Sequence, residues 1–274
     1  QFPVKKAGYP DSWSRTFPSQ DYRNHYTFND NSIADTIDTM LEAFEVYGDA
    51  RYRAAAEKAG DFMLLAQMPE PQPAWAQQYD ADMHPAWARK FEPPAVTGGE
   101  SQGVMRTLLV LYRATGNKKY LEPLPRAMEY LRRSRLPDGR LARFYELKTN
   151  KPLYFTKDDY QLTYSDANMP THYSFKTTCS IDSIERQYKQ LMAMDPAQLK
   201  EQEKPSKPRL SGDLEAKTKQ AIDSLDAQGR WVEKGRMQFA GQDRSARRVI
   251  STRTFINNVR TLSAYLAATR QSKP

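Results

Sequence analysis

Trp75-Ala76-Gln77-Gln78-Tyr79-Asp80 and Leu141-Ala142-Arg143-Phe144-Tyr145-Glu146 read as two versions of one loop, and their match decides the expected fold. Each follows a segment patterned as a helical hairpin. A shift of sixty-eight positions lays Gly48-Asp49-Ala50-Arg51-Tyr52 on Gly116-Asn117-Lys118-Lys119-Tyr120. It also lays Ala59 on Ala127, Phe62 on Tyr130, Met63 on Leu131 and Pro69 on Pro137. Repeats whose loops recur at one end are the mark of stacked supersecondary units that present those loops on one face.

Outward from these loops, residues 32–47 place Ile33, Ile37, Met40, Leu41 and Phe44 at helical spacing, with Asp30, Asn31 or Ser32 as the cap. Residues 51–67 form the antiparallel partner, and 101–115 with 118–134 repeat the hairpin. Helical pattern returns near 181–194, 213–226 and 252–268. Leu225-Asp226-Ala227-Gln228-Gly229-Arg230-Trp231 echoes Leu136-Pro137-Asp138-Gly139-Arg140-Leu141 as a third helix-to-loop junction. The expectation is all-α: an (α/α)3 toroid of helical hairpins whose long irregular loops form a groove. One domain is expected over residues 1–274, with an arm over 1–28 and an exposed charged loop over 197–212.

The 274 residues can bury a full core, and 39% hydrophobic content is globular, while 18 prolines and a mean hydropathy of -0.81 point to long polar loops. No apolar run approaches the roughly 20 residues needed to span a bilayer, so no membrane partner is expected. The single Cys179 cannot form an internal disulfide. A net charge of +8 favours anionic partners. The loop cations Arg89, Lys90, Arg140, Arg143, Lys148, Lys151, Arg244, Arg247 and Arg248 are interleaved with Trp75, Trp87, Phe91, Phe144, Tyr145 and Tyr154. Arginine with flat aromatics suits single-stranded nucleic acid or an acidic sugar polymer, and no helix-turn-helix, zinc-finger, RRM or KH pattern favours the former.

Among polar residues, Asp30 and Asn31 open a helix, where capping is the plain role, yet one cap leaves carboxylate and amide groups over. Asp80 and Asp82 are loop acids that would suit a hard cation such as Ca²⁺ if they converged on a groove. His25, His84 and His172 make no zinc pair, and no GxSxG, P-loop or GxGxxG is present. Gly98-Gly99-Glu100-Ser101 reads as a turn opening the helix that follows. Arg143 stands apart because the first repeat has Gln77 there, so packing common to both repeats does not demand a guanidinium. Residue by residue, this reaches a basic, aromatic-lined groove for an acidic polymer and no further.

The runs Tyr26-Thr27-Phe28-Asn29-Asp30-Asn31 and Gln67-Met68-Pro69-Glu70-Pro71-Gln72-Pro73-Ala74-Trp75-Ala76-Gln77-Gln78-Tyr79-Asp80 resemble polysaccharide lyase family 10 pectate lyases. So do Pro85-Ala86-Trp87-Ala88-Arg89, Phe91-Glu92-Pro93-Pro94, Ala142-Arg143-Phe144-Tyr145-Glu146-Leu147 with Thr149-Asn150-Lys151-Pro152, and Ser251 to Arg260. The resemblance covers most of 26–155 and the last helix, whereas 156–245 matches weakly. It implies Ca²⁺-assisted β-elimination of polygalacturonate or a related uronate polymer by a secreted or periplasmic monomer. By motif position it implies Arg143 as the base, with Arg140 as the competing register, and Asp30 and Asp80 as acids near calcium. Asn31, Trp75, Tyr79, Arg89, Tyr145, Arg253 and Arg260 would contact substrate. The alternatives are an α/α-toroid glycoside hydrolase, which needs two carboxylates across the scissile bond, and a noncatalytic binder of acidic polysaccharide. Nucleic acid is not an expected partner.

Overall fold

In the computed structural model, residues 5–195, 199, 208–235 and 247–271 are described. The chain forms two compact units, residues 1–203 and 204–274.

The first unit opens with the paired helices α1 (Ser32–Tyr47) and α2 (Ala50–Leu65). Gly48 closes α1 at φ 68, its N–H donating to Phe44 O, and Asp49 caps α2 by accepting from Arg51 N. The repeat reproduces this joint: Gly116 ends α3 (Gly98–Thr115) at φ 70, and Asn117 accepts from Lys119 N. A left-handed glycine followed by an Asx cap turns the chain sharply at small cost. The copies then diverge. Where the pattern predicts one helix over 118–134, a 3-10 turn at Lys118–Tyr120 precedes α4 (Leu124–Arg133). Pro123 and Pro125 account for the break, because proline restrains the preceding residue and donates no N–H. Helix α5 (Ile181–Ala193) packs on α3 and α4.

The all-α expectation is overturned. The chain is 45% helical and carries several antiparallel sheets. The loops expected to be irregular pair as strands: β1 (Tyr26–Thr27) with β2 (Gln78–Tyr79), and β4 (Leu141–Ala142) with β8 (Lys176–Thr177). A four-stranded sheet runs in the order β3 (Ala95–Thr97), β5 (Phe144–Glu146), β6 (Pro152–Phe155), β7 (Leu162–Thr163). Its register sets Thr97 opposite Phe144 and Phe144 opposite Leu153. Strands β2 to β5 are buried and the others partly so, and buried backbone must find hydrogen-bond partners. Pairing with one another supplies them.

Burial also relocates three expected substrate contacts. Trp75, Tyr79 and Tyr145 are fully buried core residues. Trp75 Nε1 donates to Met63 O at 2.8 Å. The Tyr79 hydroxyl accepts from Ala76 N at 2.6 Å and donates to Ala66 O at 2.7 Å. Tyr145 repeats this with Ala142 N at 2.9 Å and Ser134 O at 2.6 Å. Each tyrosine therefore ties the loop to the end of the preceding helix, α2 or α4. Their recurrence at matching positions reflects a shared joint, and their rings are enclosed rather than offered to a sugar.

The second unit holds α6 (Gly212–Asp223) packed on α7 (Thr252–Gln271), with β9 (Glu233–Gly235) paired to β10 (Arg247–Val249). The third junction has the form the sequence echo indicates. Asp226 receives Arg230 Nε at 3.0 Å and Gly229 sits at φ 72, as Asp138 receives Arg140 Nε at 3.0 Å and Gly139 sits at φ 80. Most of the 197–212 loop, and Arg244, lie outside the described residues. Among those described, no helix is long and apolar enough to cross a membrane.

Candidate active-site cleft

The cleft starts from the turn between β1 and α1. Phe28 is buried in the core, and Asn29–Asn31 form a 3-10 turn in which Asp30 (φ 53) and Asn31 (φ 57) are both left-handed. Asn and Asp tolerate that region better than other residues with a Cβ. Asn31 stands at the N-cap of α1 without a side-chain capping bond. The Asp30 and Asn31 side chains are thus exposed at the mouth of a cleft of about 230 Å³, across from Arg143 and Glu100.

Arg143 is aimed there by backbone on both sides. Its N–H donates to Phe175 O at 2.8 Å and its carbonyl accepts from Gly98 N at 3.1 Å, fixing it between β4 and β5. Gly98 is required at that contact: a Cβ on it would lie 2.3 Å from Ala142 O. Glycine lets the N-terminus of α3 abut the strand and carries Glu100, two residues on, to the guanidinium. Arg143 Nη2 donates to Glu100 Oε1 at 2.7 Å, and Arg143 lies 4.4 Å over the Tyr173 ring. Burial raises the Glu100 carboxyl above its ordinary value, against the pull of the Arg143 charge.

An adjoining cleft shares Asn29 and Asp30 and is lined further by His25, Gln77, Arg89 and Glu92. The Tyr173 hydroxyl donates to Glu92 Oε1 at 3.0 Å and to Gln77 Oε1 at 3.3 Å. Glu92 accepts from Arg89 Nε at 2.9 Å, Arg89 Nη2 at 2.5 Å and Arg89 N at 3.1 Å. Burial pushes the Glu92 carboxyl up, but the Arg89 and Gln77 hydrogen bonds outweigh it and hold the group below its ordinary value. Glu100, Arg143, Tyr173, Glu92 and Arg89 thus make one chain of contacts along both clefts, with each buried acid matched to an arginine.

Of the sequence candidates, Asp30, Asn31, Arg143 and Arg89 come together here. Arg140 does not: Asp138 holds it on the exposed turn, Nη2 to Oδ2 at 2.8 Å. Asp80 lines neither cleft. Its Oδ1 accepts from Asp82 N at 2.9 Å and His84 N at 3.0 Å, closing the hairpin that ends at Pro85. Arg253 and Arg260 lie on α7, in the second unit. Among the described residues no group of three or more His, Cys, Asp or Glu side chains is arranged to hold a metal ion. The sequence reading missed Glu100, Glu92, Gln77 and Tyr173 as site residues. Glu92 stood inside a quoted motif without a role, and Tyr173 belongs to the stretch with the weakest resemblance.

Residues 3–111 match the family model for pectic acid lyase. A solved structure, a mutant of a family 10 polysaccharide lyase from Cellvibrio cellulosa in complex with trigalacturonic acid, is similar at 24% identity with a TM-score of 0.53. The match covers 64% of this chain and 66% of that one. Another structure of a family 10 polysaccharide lyase from that organism is 23% identical over 65% of this chain and 66% of its own, with a TM-score of 0.47. This chain therefore spans slightly less than two thirds of those chains. No curated protein matches the sequence. Residues 3–111 are thus similar to the pectic acid lyase family, and the fold resembles that of a family 10 polysaccharide lyase.

Proposed function

We propose that the cleft cleaves polygalacturonate, or a related uronate polymer, by β-elimination. The observation that carries this reading is the meeting of Arg143 with Asp30 and Asn31 in one cleft, at the positions where the sequence resembles pectate lyases. The adjoining cleft gives a polymer room to continue, and the trigalacturonic acid held by the similar lyase is the substrate class this suggests.

β-Elimination removes the proton α to the uronate carboxylate and then breaks the C4–O bond. That proton is weakly acidic, so positive charge must meet the electron density that develops on the carboxylate. Arg143, as the proposed base, takes the proton at Nη in its neutral form, and the guanidinium so formed supplies that charge. Tyr173 beneath its plane and Glu100 beside it restrict the guanidinium to one orientation. Asn31 is placed to hydrogen-bond a sugar hydroxyl or carboxylate, and Arg89 to attract a neighbouring uronate while its own position is held by Glu92.

Calcium is part of this proposal. The donors fit an ion shared between protein and substrate. Asp30 offers an exposed carboxylate that makes no ion pair among the described residues and accepts from Asn29 Nδ2 at 3.4 Å, with the exposed Asn31 amide next in the chain. These are hard oxygen ligands, too few to enclose Ca²⁺, which takes 6–8, so uronate and water oxygens would complete the shell. When bound, the ion would neutralise the uronate carboxylate and lower the barrier to proton loss. We assign Asp80 to its hairpin. A polymeric substrate, too large to enter a cell intact, also favours a secreted or periplasmic enzyme.

The test is the product. A lyase forms an unsaturated uronide, seen as a rise in ultraviolet absorbance with no water added. New reducing ends without that absorbance would mean a hydrolase, and binding without either would mean a noncatalytic protein.

A further inference from the structure

Arginine is a poor base because it normally stays protonated above pH 12. A carboxylate at 2.7 Å makes matters worse if it serves only as a counter-ion, since opposite charge favours the protonated guanidinium. The pair in this cleft is nevertheless built unlike a stable buried ion pair. The Glu100 side chain is 8% exposed and that of Arg143 19%, yet only one hydrogen bond joins them. Glu100 Oε2 and Arg143 Nε are both buried without a hydrogen-bond partner. Arginine can meet a carboxylate with two parallel bonds, and a buried pair that leaves a lone pair and an N–H unmatched repays little of its desolvation cost. That deficit narrows the gap between the charged pair and its neutral form, in which the proton has moved from nitrogen to oxygen.

We infer that Glu100 is the group in which the abstracted proton is finally held, with Arg143 passing it on. The inference rests on the lyase reading proposed above. The Arg143 Nη2 proton shifts along the existing bond to Glu100 Oε1, and inversion at the resulting imine nitrogen, which keeps its other N–H, turns the vacated lone pair from Glu100 to the cleft. That lone pair takes the proton α to the uronate carboxylate. The C–H electrons form the double bond, and the C4–O pair leaves with the departing sugar oxygen, which takes a proton from water. The pair ends as a guanidinium beside a neutral acid, so the net base is a carboxylate. Release of the Glu100 proton to solvent restores it.

Glu100 acts through Arg143 and serves as its positioning residue as well as its proton store. The charged or titratable groups around it are Arg143, Glu92, Tyr173 and, across the cleft, Asp30. Glu92 is already held ionised by Arg89, and the raised Glu100 carboxyl agrees with a proton-accepting role. Its place two residues after Gly98 gives the pairing a backbone origin: a side chain at 98 would push α3 away from β4.

Glu100→Gln separates proton storage from orientation. The amide oxygen can still accept from Arg143 Nη2 but takes up no proton. Polygalacturonate turnover to unsaturated product, followed against pH, should fall about 100-fold in kcat, the usual worth of general-base assistance. KM should stay within about twofold. The rate that remains should rise steadily with hydroxide, without the acid limb of the wild type. Glu100→Asp, which keeps a carboxylate, should recover part of the rate and the limb. Equal kcat and an unchanged acid limb in Glu100→Gln would overturn this inference alone. A wild-type rate that itself rises steadily with hydroxide would also overturn it, without recourse to any variant. No unsaturated product from the wild type would overturn the lyase reading and this inference together.

Discussion

Replacing Tyr79 with phenylalanine removes one oxygen atom and, by the structure, two hydrogen bonds. The hydroxyl accepts from Ala76 N–H and donates to Ala66 C=O, and all three residues are 1% exposed or less. Phenylalanine keeps the ring in place but orphans a buried donor and a buried acceptor. Each orphan costs about 1–3 kcal/mol, so Tyr79→Phe should destabilise the first unit by about 2–6 kcal/mol. For a unit of this size that lowers Tm by about 4–24 °C. Tyr145→Phe should do the same through Ala142 N and Ser134 O. The assay pairs thermal or urea unfolding with kcat and KM at a temperature where both variants remain folded, with the two kinetic constants expected to be unchanged. A variant of wild-type stability whose KM rises instead would refute the assignment of these tyrosines to the core and restore them as sugar contacts.

Other outcomes follow from the same geometry. Arg89→Ala leaves the Glu92 carboxylate, whose side chain is 1% exposed, without its cation, at a cost of about 3 kcal/mol. The sign with pH follows. In the wild type Glu92 is held below its ordinary value, so its contribution is full above the unfolded pKa and is lost as pH falls through the folded one. In Arg89→Ala burial acts with less opposition, so urea midpoints should improve on acidification. Chelation should abolish turnover, and Asp30→Ala should raise the calcium concentration needed; full activity in excess chelator would reject the metal role. Substrate affinity should weaken with added monovalent salt, and highly methyl-esterified pectin should be cleaved poorly, because exposed cations attract the uronates. Equal cleavage of esterified and de-esterified polymer would contradict that.

How much of this was legible in the sequence depended on the length scale of each signal. Helix-long periodicity marked α1, α2 and α3, and Gly48 and Gly116 marked two identical joints. The strands were too short to announce themselves: segments of two to four residues, several of them buried on both faces, show no alternation for a pattern to detect. The repeat itself both informed and misled. Positions on which its copies agree, Tyr79 with Tyr145, hold the scaffold together, and reading them as substrate contacts mistook shared packing for shared function. The position on which they differ, Gln77 against Arg143, lines the clefts in both copies. Glu100 was hidden because Gly98-Gly99-Glu100-Ser101 does open a helix, and the acid's second role depends on a strand forty residues away in sequence that only folding brings to it.

The most direct test compares two arginines three residues apart. Arg143 faces the cleft, whereas Arg140 is held by Asp138 on an exposed turn. Both alanine variants should fold, and formation of unsaturated product from polygalacturonate should be followed for each beside the wild type. The expected result is that Arg143→Ala loses kcat by at least about 100-fold with much of its substrate binding intact, while Arg140→Ala turns over at the wild-type rate. An active Arg143→Ala, whether or not Arg140→Ala is inactive, would contradict the proposed chemistry of this cleft.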